Sequence, residues 1–225
     1  MNITALFIAL AGAIVLWFFL MRRLRTKPWI EKGPIDAKDG AMGIPAERVG
    51  LWIFLAVVTS LFSLFAIMYT ERSGYADWRP LPDPQLLWIN TAFLILGSVA
   101  FQRARGAANR ENLNSVRVNL TAGGIFTIIF LVGQLLAWQQ LTSSGYFLAT
   151  NPADTFFYLI TGLHGLHLLG GLWVWARTTK RVWGRFDSYD VTQIAGVRLS
   201  IQLCAVYWHF LLILWLALFY LFSST

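Results

Sequence analysis

Residues 199–222 read LSIQLCAVYWHFLLILWLALFYLF, twenty-four positions without one Asp, Glu, Lys or Arg. A helix of about 20 apolar residues crosses the roughly 30 Å hydrocarbon layer of a bilayer. A run this long and this free of charge therefore predicts a membrane-spanning helix. Five more runs of the same kind lie upstream, at roughly 4–21, 50–69, 86–102, 120–139 and 155–176. Asn90 and Gln102 near its ends make 86–102 the least apolar of them. Only 13% of the residues are charged, against about 25% in soluble domains. The eleven tryptophans suit a chain with many membrane–water interfaces. The expected fold is all-α, a polytopic membrane helix bundle of six transmembrane helices. The connections are too short for a soluble domain, and neither a tandem repeat nor a low-complexity tract interrupts them.

Loop charge sets the expected orientation. Segments 22–48, 103–117 and 177–198 hold sixteen of the eighteen Lys and Arg residues, and only Arg72 and Arg79 fall elsewhere. Basic residues collect in alternate loops, and such loops face the cytoplasm, or the matrix in a mitochondrion. Both termini are then expected outside. The formal charge of +7 is read as an orientation signal that also attracts anionic headgroups. Charges that flank spans argue against a nucleic-acid partner. The first run lacks the basic residues that precede a signal-peptide core, so it is expected to remain as a helix. Cys204 is the single cysteine; it excludes an intrachain disulfide framework and is expected to be a small packing residue.

The span interiors hold no Asp, Glu, Lys or Arg. Ion-coupled carriers place an acid or base inside the membrane, so a stand-alone pump is disfavoured. All three histidines, His164, His167 and His209, lie in the last two runs. His164 and His167 are three apart and share a helix face. Gly162 and Gly165 lie among them, and glycines permit close approach of another helix or a lipid. His209 is expected near this glycine–histidine surface. Three readings compete: haem or metal ligation by His164 or His167 with His209, contacts to lipid headgroups or water at a cleft, and plain interhelical hydrogen bonds. With no carboxylate or thiolate beside the imidazoles, a redox centre would be poorly furnished.

The stretch FFYLITGLHGLH at 156–167 resembles the signature of subunit III of haem–copper terminal oxidases. RVGLWIFL at 48–55, WRPLP at 78–82 with LWINT at 87–91, FLVGQ at 130–134 with Trp138, and YWHF at 207–210 with Trp215 resemble further segments of that family, in the family's order. The resemblance covers about 48–222. It divides the chain into an extra N-terminal transmembrane helix with a basic cytoplasmic loop, 1–47, and a five-helix subunit III-like domain, 48–225. The C-terminus outside, derived from charge, agrees with the family's arrangement.

The resemblance implies an auxiliary, non-catalytic subunit of a respiratory oxidase complex of the cytochrome c oxidase type. Such a subunit carries no haem or copper, packs on the catalytic subunit I among other oxidase subunits, holds phospholipids, and supports assembly, proton uptake and sustained turnover. Haem and copper are expected in the partner subunits, and phospholipid in this one. By the same resemblance Thr161, His164, His167, Tyr207, Trp208 and His209 are the candidate lipid or subunit contacts. The expected location is a bacterial cytoplasmic membrane or a mitochondrial inner membrane. Two departures stand out. The family's third helix usually carries an acid where this chain has Val58, and its Gln-x-x-Glu-Trp element reads Gln134-Leu135-Leu136-Ala137-Trp138. The lost acids suit one alternative, a subunit III-like accessory of a bacterial nitric oxide reductase, and the histidines keep open another, a stand-alone membrane transporter or enzyme.

Overall fold

The computed structural model describes residues 45–79, 85–148, 150–184 and 191–224, the last of these with side chains from 194 onward. Five helices account for nearly all of them: α1 Ala46–Ser73, α2 Gln85–Asn109, α3 Leu113–Ser143, α4 Pro152–Trp183 and α5 Val191–Ser223. All five are long and apolar enough to cross a membrane, and the helices extend several residues beyond the apolar runs seen in the sequence. The run at 4–21, the sixth expected span, lies outside the described residues.

Local signals set the helix ends. Asn112 caps α3 by accepting from the Ser115 amide at 3.1 Å, and Asn151 caps α4 with Pro152 following, a ring whose fixed φ suits a first helical turn. Between α2 and α3 the chain reverses within three residues, with Glu111 at φ 57°. So short a link makes α2 and α3 antiparallel neighbours. They pack closely at Gly123, where a Cβ would lie 2.7 Å from the Phe101 ring.

Helices α2, α3, α4 and α5 surround a core in which side chains from opposite helices meet. In lipid, association rests on van der Waals packing and hydrogen bonds, because the solvent is as apolar as the side chains. Three Trp–Thr pairs supply those bonds. Trp208 Nε1 donates to Thr127 Oγ1 at 2.8 Å, Trp215 to Thr91 at 3.0 Å and Trp138 to Thr161 at 3.1 Å. Each threonine hydroxyl in turn donates to the carbonyl four residues back. The hydroxyl proton is then committed and a lone pair faces the indole N–H. The pairs join α5 to α3, α5 to α2, and α3 to α4.

Helix α1 packs differently. At one end Tyr69 meets Trp78, Phe156 and Phe222 edge to face, at 4.9, 5.9 and 5.6 Å between ring centres. Val58 and Phe62 continue that contact against Ile160 and Leu218. Towards residue 47 the side-chain packing thins, and α1 stands away from α4 and α5. That end of the helices is the basic end: Arg48, Arg105, Arg117, Arg177 and Arg198 all belong to it.

Candidate functional site

The gap between α1 and the α4–α5 pair is a cleft of about 410 Å³. Glu47, Leu51 and Phe54 form one wall, and His167, Gly170 and Tyr207 belong to the other. Adjacent glycines shape it. A Cβ on Gly170 would meet nothing within 4 Å, so that position opens the cleft, whereas one on Gly171 would lie 2.6 Å from the Tyr207 ring. Gly171 thus lets the aromatic side chains of α5 lie against the α4 backbone. Tyr207 is anchored there, its hydroxyl donating to the His167 carbonyl at 2.9 Å.

His167 sits on the inner side of the cleft against α1. Its ring centre is 5.5 Å from that of Phe62 and 6.1 Å from that of Phe54. Its Nδ1–H donates to the Leu163 carbonyl at 2.7 Å; the carbonyl can only accept, which assigns the proton to Nδ1 and leaves Nε2 for another contact.

The six candidate residues therefore separate into three places. His167 and Tyr207 belong to the cleft. Thr161, His164 and Trp208 are internal, with 1, 0 and 1% of their surfaces exposed, although Trp208 backs the cleft and Thr161 the groove between α3 and α4. His164 lies between Phe130 at 6.0 Å and Trp215 at 5.2 Å, and neither ring nitrogen has a hydrogen-bond partner among the described residues. His209 lies apart from both, at the outer seam of α2 and α5, bonded through Nδ1 to Ser98 and through Nε2 to Gln102 at 3.0 Å. The expected proximity of His209 to the other histidines does not form. It sits where α5 meets α2, while His164 and His167 lie on α4. The paired-imidazole ligation considered from sequence has no geometric basis. Among the described residues no three His, Cys, Asp or Glu side chains are grouped to hold a metal ion.

Gly162 and Gly165 lie on another side of α4. Their nearest neighbours are the Trp138 ring at 3.3 Å and a Leu131 methyl at 3.8 Å from a Cβ. They border a shallow groove between α3 and α4 rather than a backbone-to-backbone contact. Missed in sequence were Phe54 and Phe62, whose rings face His167; their spacing of eight on α1 was the available signal. Cys204 is buried beside Thr178, 3.9 Å away, as a packing residue.

Among the described residues, five membrane-length helices and an apolar side cleft define an all-helical membrane protein. The sequence profile of cytochrome c oxidase subunit III matches residues 50–224. The chain belongs to that family. It is similar to the cytochrome c oxidase subunit 3 of Thermostichus vulcanus, 30% identical over 84% of this chain and 92% of the relative. It is likewise similar to cytochrome c oxidase subunit 3 of Synechocystis, 31% identical over 81% and 77% of the two chains, and to the probable subunit 3 of Mycobacterium tuberculosis, 30% identical over 76% and 84%.

Proposed function

We propose that this chain is the auxiliary, non-catalytic subunit III of a haem–copper respiratory oxidase, docked on the catalytic subunit I and holding phospholipid in the α1–α4–α5 cleft. Haem and copper belong to the partner subunits. The observation that carries the reading is the cleft: family membership supplies the complex, and an apolar slot of this size with Glu47, His167 and Tyr207 on its walls suits acyl chains. The two acids usual in the family are absent, and the residues at their positions are enclosed. Val58 and Ala137 are buried, 2 and 0% exposed, and Val58 packs with Phe62, Ile160 and Leu218. Support of turnover and proton uptake therefore comes through bound lipid and packing rather than a membrane carboxylate.

Purification through a tag on this chain tests the reading. A haem spectrum and a haem-bearing partner are expected; a chain that purifies without haem overturns it. The role of the cleft is tested by Gly170→Trp. Gly170 lines the cleft and a Cβ there meets nothing within 4 Å, so the indole starts into open space. The purified complex is expected to retain fewer phospholipids, to turn over initially at the normal rate, and to lose activity faster over repeated cycles.

Orientation belongs to the same proposal. The basic end, including 103–118 and 177–198, lies in the cytoplasm or matrix, both termini lie outside, and 1–47 contributes a further spanning helix and a basic loop. A cysteine at Ser143 or Ser224 is expected to react with an impermeant maleimide from outside, and one at Asn114 only after the inner face is opened. Labelling of Asn114→Cys from outside sinks this topology.

A further inference from the structure

The outer seam of α2 and α5 carries a polar network that the cleft does not use. Within the apolar run 199–222, His209 is about 15 Å from one end and about 20 Å from the other at 1.5 Å per residue. Its Nε2–H donates to the Gln102 carbonyl oxygen at 3.0 Å, and Ser98 bonds Nδ1. Gln102 is exposed and His209 half-buried. The amide NH2 of Gln102 is left with two donors and no acceptor among the described residues. Against acyl chains such donors are costly.

The surroundings are those of a helix seat. Beside Gln102, α2 exposes Ile95 and Val99; beside His209, α5 exposes Ile213 and Leu216. Positions 95, 99 and 102, and 209, 213 and 216, each follow the 4–3 spacing of a helix–helix seam. The two antiparallel rows flank the α2–α5 seam, whose register is held by His209 on Gln102 at one level and Trp88 on Phe219, 4.7 Å apart, at another. Helix α1 does not cover it, since its contacts are with His167 and Tyr207. Charge narrows the occupant. Arg103 is exposed beside Gln102, and Arg105 is partly exposed in the next turn. A two-fold pairing with a second copy would set the same donors and cations against each other at one depth.

We propose that the α2–α5 seam around Gln102 and His209 is the seat of a transmembrane helix of another subunit, one presenting a hydrogen-bond acceptor at the level of Gln102 and an acidic group towards the basic end. The proposal rests on the oxidase-subunit reading and assigns it a face. That face is separate from the lipid cleft.

The test uses the intact complex purified through this chain, with a photoreactive benzoylphenylalanine at Val99, at Ile213, or at Val132. Val132 is equally exposed but on α3 and serves as the control. Adducts to a different subunit are expected from Val99 and Ile213 and not from Val132. Gln102→Leu removes the two amide donors and also the acceptor of His209; set beside Ser98→Ala, which disturbs the same histidine but keeps those donors, it alone is expected to lower the ratio of this chain to haem about three- to ten-fold, the loss of one or two intramembrane hydrogen bonds. Adducts to lipid alone, to this chain itself or to a second copy from Val99 and Ile213 overturn the proposal, as does a full ratio for Gln102→Leu. If haem still co-purifies, only the assigned face is wrong; if haem never co-purifies with the unaltered chain, the oxidase reading itself has failed.

Discussion

Trp208→Ala is expected to cost about 3–5 kcal/mol of stability, the range for removing a fully enclosed large aromatic. Three contacts explain the size. The indole is 1% exposed, its centre lies 4.2 Å from that of Phe101, and its N–H is bound by Thr127 at 2.8 Å. Removal leaves a void among α2, α3 and α5, and a close-packed interior cannot restore the dispersion attraction that the ring supplied. It also strands a threonine that no water can reach. Trp208→Phe retains most of the ring but not the donor, so its cost should approach that of one intramembrane hydrogen bond, about 0.6 kcal/mol, plus a smaller packing loss. Thermal unfolding of the detergent-solubilised complex, followed through the recovery of this chain with haem, measures both. Equal effects of Ala and Phe would show that the hydrogen bond, not the packing, holds the seam.

The helices were legible because the bilayer demands length and apolarity, and both are written directly into runs such as 199–222. Helix ends were less so. The α2 helix continues through Arg103 and Arg105 to Asn109, since a helix need not stop where its hydrocarbon section does. The six residues singled out in the sequence carried no information about their arrangement. His164, His167 and His209 attract notice together because histidine is scarce in spans, yet azimuth around each helix decides what meets what. His164 and His167, three positions apart, differ by about 60°, enough to place one in the core and the other at the cleft. Gly170 and Gly171 make the same point, one opening a cavity and the other seating a tyrosine. The Trp–Thr pairs were hidden for a related reason: the partners are 23 to 124 residues apart in sequence, and no local pattern joins them.

Glycine context gives the second large effect, and one that the tryptophan should modulate. Gly123→Ala places a Cβ 2.7 Å from one Phe101 ring carbon and 2.9 Å from another. Phe101 cannot swing aside, because it is 1% exposed and lies against Trp208. The helices must therefore separate, at a cost of about 1–3 kcal/mol for an overpacked core. The same change at Gly170, where nothing lies within 4 Å, should be neutral or slightly stabilising, since alanine is the better helix former. Gly123 and Trp208 both act through Phe101, so their effects should not add. In a Trp208→Ala background the phenylalanine ring gains room to retreat, and Gly123→Ala should cost less than it does alone. A four-point cycle of thermal unfolding measurements on the wild type, the two single variants and the double variant reads the coupling. Strict additivity would mean that α2 and α3 are held apart by something other than the Phe101 ring.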